Sequence, residues 1–462
     1  MALVASPVAD APSAAAVEVP EVVAWALMAL LIVDYLGLAY EFAVLRATRI
    51  GTLLAYGMFL AAVANGGLRV ATSSRQGKML LGLMSMAAAS LLYAVVQSYV
   101  PAALRSHLDY FALFVVSAVT IDRRSRVTRL ALVGTTIALV LVTRNVDLLT
   151  SGVRIGAFKA GVFMGDGNDF AWGLIALMPM PFFLMIGKYP LLIRLFGLAG
   201  AGAVILGVVG TQSRGATLGI AAAALYYFVV LSRRKLATLV LMAILAGGAV
   251  AVSPSSYLNR VTDTDVSNDT SAQGRLRAWR AATQMALDYP LGVGAGSFNS
   301  AYGRYYIGTP DGSFGSLRWI SAHSIYFKVL GESGFIGLAL LLGLLAANFG
   351  ENQRSLRAAR DHPERSGIED RWPAMLNFGM TGYAVAGAFL GGLTYPHLFL
   401  LSGLSVGCRR MTVPRFAGAP AEPGRQAATG LTIHPSLRQP PASTGGRLTS
   451  QVRYEGWRAS GS

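Results

Sequence analysis

Cysteine is nearly missing from this chain of 462 residues: Cys408 is the single one. That excludes an intrachain disulfide and any cysteine-based zinc cluster. Charge is scarce as well. Only 13% of the residues are Asp, Glu, Lys or Arg, where a soluble domain carries about 25%. The shortage is worst for acids, with 23 Asp and Glu against 39 Lys and Arg. No glycine-rich phosphate loop, Cys/His zinc spacing or serine nucleophile elbow occurs, and no internal repeat stands out. Residues 1–20 are rich in Ala, Val and Pro and lack the basic start of a secretory signal peptide.

What the chain has in quantity is apolar length. Hydrophobic residues make up 54% of it, and the mean hydropathy is +0.51. Apolar runs broken by Arg, Lys, Pro and Gly predict spans at 21–42, 51–70, 78–99, 107–121, 127–143, 170–187, 190–210, 214–232, 235–253, 323–347 and 374–405. The last leaves room for a hairpin at Gly391-Gly392 or Pro396. The expected fold is an all-α polytopic integral membrane helix bundle of about 11–12 spans. The net charge of +16 does not point to nucleic acid, because Lys and Arg sit mostly in short connectors and in the tail, the positive-inside pattern.

The expected organisation has four parts. An N-terminal transmembrane bundle (1–253) precedes one large periplasmic loop (254–322). C-terminal transmembrane helices (323–408) then lead to a Pro-, Gly-, Ser- and Arg-rich tail (409–462), whose composition predicts a disordered cytoplasmic segment. Basic connectors at 73–78, 122–126, 233–235 and 353–371 are expected on the cytoplasmic side; Arg46 and Arg49 fit that scheme less well. Counting spans from Arg233 places 144–169, the Thr211–Arg214 corner and the 254–322 loop together on the opposite face. The loop holds six Arg and five Asp but no Lys or Glu. Arginine is the better residue for bidentate binding of phosphate. Within the loop, Ala272 to Asp288 reads as a helix capped by Asp269-Thr-Ser271 and stopped before Pro290. Leu276, Trp279 and Met285 are expected to share one side, with Arg277 and Arg280 projecting together.

Few residues on that face carry chemistry. His323 lies where the loop meets an apolar run, a place for a proton acceptor or for a histidine that only hydrogen-bonds at the interface. Arg214, in Thr211-Gln-Ser-Arg214-Gly, is either a snorkelling cation or an anion site beside a helix N-terminus. Gly165-Asp166-Gly-Asn168-Asp169 reads equally as an N-capped turn and as a polar wall of the same site. Glu332 reads as a helix-packing carboxylate within the span, and His397 as a second histidine facing the same side. Asp263-Thr-Asp265 has the form of a metal-binding Asp-x-Asp, but without a nucleotide-binding domain it carries little weight, and no metal or other cofactor is expected.

Taken together, Thr211-Gln-Ser-Arg214-Gly, Gly274-Arg275-x-x-x-Trp279, Ala322-His323-Ser-Ile-Tyr326 and Glu332-x-Gly334-x-x-Gly337 resemble the O-antigen ligase and O-antigen polymerase superfamily. Ser324 stands where that family most often has Asn. The Gly-Asp-x-Asn-Asp-Phe-Ala stretch looks closest to the O-glycosylation ligases that accompany exosortase systems. The resemblance covers about residues 150–347. It implies transfer of a glycan from an undecaprenyl-pyrophosphate-linked donor to a lipid, glycan or protein acceptor, at the periplasmic face of a bacterial inner membrane. It implies that Arg214 and Arg275 contact the pyrophosphate and that His323 works at the reaction centre. Arg277 and Arg280 stay open as alternatives for the second arginine, and Ser213, Tyr326, Asn168 and Asp169 are further candidate substrate contacts. Membrane lipids are the other expected partner. Two other classes remain open from the residues alone: a transporter or flippase of polyprenyl-linked sugars, and a non-catalytic partner in polysaccharide export.

Overall fold

The computed structural model describes residues 17–151, 158–252, 270–306, 320–361, 371–393 and 395–417, and these are α-helical with no strand among them. In chain order the helices are α1 (Glu21–Tyr35), α2 (Leu38–Glu41), α3 (Ala43–Ala47), α4 (Ile50–Ala64), α5 (Gly67–Ser73), α6 (Arg75–Ala89), α7 (Val100–Thr120), α8 (Arg124–Arg144), α9 (Val146–Thr150), α10 (Gly167–Leu177), α11 (Pro179–Ile186), α12 (Leu191–Gly210), α13 (Arg214–Tyr226), α14 (Lys235–Val252), α15 (Thr270–Asp288), α16 (Phe298–Ala301), α17 (Ile325–Asp361), α18 (Trp372–Gly387) and α19 (Pro396–Ala417). The fold is that of an all-α polytopic membrane protein.

The span count differs from the expectation. Six helical stretches among the described residues are long and apolar enough to cross a membrane, or seven if the α4–α5 pair counts as one span bent by 85°. Apolar runs overstate helix length here. Helices α1, α4 and α6 have 15 residues each, about 22 Å of rise against a hydrocarbon core of roughly 30 Å. Gly37 and Gly66 take φ of 67° and 78° and end the helical paths. The last apolar run is a hairpin, its helices α18 and α19 separated by the connector 388–395. Helix α17 continues through Arg354 and Arg357, which were expected in a connector, and α19 continues past Arg409 to Ala417. The tail beyond Gly418 lies outside the described residues.

One large core joins α1, α7, α8, α10, α11, α17, α18 and α19. Small residues let helices close up, as in other membrane bundles: a Cβ on Gly219 of α13 would lie 2.7 Å from Gly382 O of α18. At one end of the bundle Arg126 is 1% exposed. It is matched by Glu21 and Asp122 at 3.1 Å each and by the Val19 carbonyl at 2.7 Å. A buried guanidinium is tolerated only with such full pairing.

The described part of the large loop builds a smaller core of its own from Ala278, Ala281, Ala282, Met285, Val293, Phe298, Tyr302 and Ala322. Helix α15 therefore buries a stripe of small residues. Leu276, expected on the apolar side, is 41% exposed. The glycine turn after α15 is wedged between two elements. Val293 N and Gly294 N donate to Gly331 O and Glu332 O of α17, and Val95 N donates to Val293 O. On α17 this docking coincides with a kink at Gly334, φ 63° and ψ −166°, a region open to glycine alone. A Cβ at Gly334 would fall on Pro290 O. Gly334→Ala should lower stability by roughly 2 kcal/mol or more and expose the loop to trypsin. Thermal unfolding in detergent, read beside limited proteolysis, checks this; an unchanged melt would contradict it.

Candidate functional site

Helices α10, α13 and α17 begin close to one another, and the α18–α19 connector ties their starts together. Asp166 caps α10 by accepting from Asn168 N and Asp169 N at 2.7 and 2.9 Å. Ser213 caps α13, accepting from Ala216 N at 3.4 Å. Ser324 opens α17, its buried hydroxyl accepting from Phe327 N at 3.5 Å. The first two starts meet directly, because Ser213 Oγ donates to Asn168 Oδ1 at 2.8 Å. The polar stretch at 165–169 is thus at once an N-capped turn and a neighbour of the Thr211–Arg214 corner.

The connector joins the remaining pieces. Phe389 packs on the start of α13, where a Cβ on Gly215 would lie 2.5 Å from Phe389 Cβ. Leu390 O accepts from Ile325 N at 3.0 Å, satisfying one N–H that the start of α17 would leave open. A Cβ on Gly391 would lie 3.4 Å from His323 Cα. Tyr395 donates to Asp169 Oδ2 at 2.6 Å. Burial, and then the Asp169 carboxylate, push the Tyr395 hydroxyl well above an ordinary phenol, so it remains a donor. The sequence marked this connector only as a turn at Gly391-Gly392 or Pro396; its role rests on carbonyls, a phenylalanine and close backbone approach.

The large loop adds the fourth side. Trp279 of α15 donates its Nε1–H to Ala322 O at 2.9 Å, next to His323. Its ring stacks on Phe327 of α17 at 4.9 Å and meets Phe389 at 6.2 Å. The three candidate arginines of α15 part company here. Arg275 precedes Trp279 by four residues, one turn away on the same face of α15, and is partly buried. Arg277 donates to Gln273 Oε1 at 3.0 Å and acts on Tyr302 within the loop's own core. Arg280 is exposed.

His323 has φ 44° and Gln212 φ 55°. Non-glycine residues take this left-handed conformation seldom and at a cost, and such strain gathers at functional sites. Both sit on the turn leading into a site helix. Tyr326, by contrast, spends its hydroxyl on Ala384 O at 2.8 Å, tying α17 to α18. Glu332 accepts from Phe298 N at 3.4 Å and holds the loop. Lys328, which the sequence reading passed over, acts electrostatically on Asp169. His397 is buried among Tyr35, Phe163, Trp172, Tyr383 and Tyr395, with Tyr35 Oη 2.8 Å from its Nδ1. No group of three or more His, Cys, Asp or Glu that could hold a metal occurs among the described residues; Asp263 and Asp265 lie outside them.

Arginine, helix N-termini and a histidine in one place make an arrangement suited to a polyanion next to a proton acceptor. Residues 199–342, which include the α13 corner, the loop and the start of α17, match the O-antigen ligase family model. Over these residues the chain is similar to the O-antigen ligase family. No curated protein matches the chain.

Trp279→Ala removes the Nε1 bond and the stack together. It should loosen α15 from α17 by about 3 kcal/mol and speed amide hydrogen exchange over 270–288 while sparing α7 and α19. Equal protection in the variant would contradict the docking role.

Proposed function

We propose, from the chain's similarity to the O-antigen ligase family, that this protein moves a glycan from undecaprenyl pyrophosphate to an acceptor hydroxyl. The centre is His323 with Arg214 and Arg275, facing the periplasm of a bacterial inner membrane. The observation that carries the reading is the meeting of three helix starts beside His323, with Arg214 on one of them and the folded loop packed against the start of α17.

The acceptor hydroxyl gives its proton to the His323 imidazole. Its oxygen bonds to the anomeric carbon, and the bond from that carbon to the pyrophosphate oxygen breaks, its electron pair leaving with the lipid carrier. Negative charge grows on the pyrophosphate as this happens. Arg214 and the N–H groups opening α13 and α17 are fixed before the reaction, so they favour the transition state over the ground state. Arg275 is the better second arginine, since it lies one turn from Trp279 on the same helix face. Asn168 and Ser213 brace the Arg214 corner, and Asp169 orients Tyr395 at its edge. The reading needs neither a metal nor a nucleotide sugar, and the acceptor is a lipid, glycan or protein hydroxyl. The loop limits water at the site.

Transfer assayed in membranes with a lipid-linked donor tests the assignment. His323→Ala should lower transfer at least about 100-fold, and Arg214→Ala by about 100-fold or more, with both proteins still in the membrane. Arg275→Ala should fall similarly, and Arg280→Ala should stay within about twofold. Full activity in the His323 variant would overturn the reading.

A further inference from the structure

A cavity of about 500 Å³ opens between α1, α3, α4 and α7, apart from the His323 centre. Its walls are of two kinds. Leu30, Leu45 and Leu113 give it apolar lining, and Arg46, Arg49 and Arg105 bring positive charge. Two carboxylates, Asp34 and Asp109, face these three arginines. Asp109 is already engaged, accepting from Tyr56 at 2.7 Å and pairing with Arg105 at 3.9 Å. Among the described residues neither Arg46 nor Arg49 meets a carboxylate or makes a side-chain hydrogen bond. Arg49 is also held at φ 50° between α3 and α4, a conformation that non-glycine residues seldom take. These are the two arginines that the positive-inside pattern does not explain.

The same segment turns Phe42, Val44, Leu53 and Leu60 outward, all exposed. On a membrane protein such side chains meet acyl chains, so the cavity is reached from the lipid side. Phe163 lines it as well and packs at 6.4 Å from Tyr395, the partner of Asp169. The pocket is thus linked through Phe163 to the Tyr395–Asp169 pair.

We propose that this cleft binds the phosphate head group of an anionic membrane lipid between Arg46 and Arg49, with an acyl chain along the Leu30–Leu113 wall. Paired arginines match a phosphate's oxygens. The half-apolar wall favours an amphiphile over a free anion. The inference does not depend on glycan transfer.

The test uses the full chain in nanodiscs of phosphatidylcholine, titrated with phosphatidylglycerol, and counts retained lipid by native mass spectrometry. The wild type should hold phosphatidylglycerol in preference to phosphatidylcholine. Arg46→Gln combined with Arg49→Gln should weaken that binding about tenfold or more, whereas Arg69→Gln, an exposed arginine elsewhere, should leave it unchanged. Should the double variant fail to fold, Ala55→Trp, which fills the cavity and keeps both charges, should weaken binding as much. Equal retention of phosphatidylcholine would mean snorkelling arginines without selectivity and would overturn the proposal. So would full displacement by millimolar inorganic phosphate, the mark of a free-anion site, or unchanged binding in the charge or cavity variants.

Discussion

Each helix begins with backbone N–H groups that no residue of that helix can accept, and a membrane interior offers no water to take them. Three helices of this bundle begin together, so that demand is concentrated in one place. Asp166, Ser213 and Ser324 each answer part of it, and Leu390 O answers another. What remains is a set of aligned dipole ends with Arg214 among them, a standing preference for negative charge. The proposed chemistry uses that preference, with a pyrophosphate leaving group as the proposed anion. The connector 388–395 is the device that keeps the starts in register, with Phe389, Gly391 and Tyr395 each reaching a different one.

The loop makes the corner a site. Its helix α15 is anchored on one side by Trp279, stacked on Phe327 and bonded to Ala322 O, and on the other by the glycine turn seated on the α17 kink. Gly334 is required there because the Pro290 carbonyl occupies the space of a side chain. The two anchors explain why sequence features far apart, the glycines at 292–296 and the Glu332-x-Gly334 stretch, depend on each other. Arg275, four residues before Trp279, shares the face of α15 that Trp279 anchors.

Local chemistry was legible in the sequence and tertiary choices were not. The end of α15 before Pro290 was legible, and so was the hairpin of α18 and α19 from Gly391, Gly392 and Pro396; the helix begins at Thr270, two residues before the expected Ala272, and Asp269 of the expected cap lies outside the described residues. The Thr211–Arg214 corner stood out because a charge at a span boundary is costly. The span count was less legible, since apolar composition measures residues and says little of where Gly37 and Gly66 turn the path. The buried face of α15 was misjudged because a close approach selects Ala278, Ala281 and Ala282 over Leu276. The connector showed only as a turn, and its role at the helix starts left no trace, because backbone carbonyls have no signature in composition. Tyr326 shows the converse: it stands within a family-like motif, and its hydroxyl is spent on holding two helices together.

Glycan transfer and lipid transport would use much the same bundle, and they differ in whether a bond is made. Purified protein reconstituted in vesicles with a lipid-linked glycan donor and an acceptor decides between them. The account predicts that undecaprenyl pyrophosphate and a new glycosidic product appear in equal amounts; intact donor crossing the bilayer with no product would contradict it.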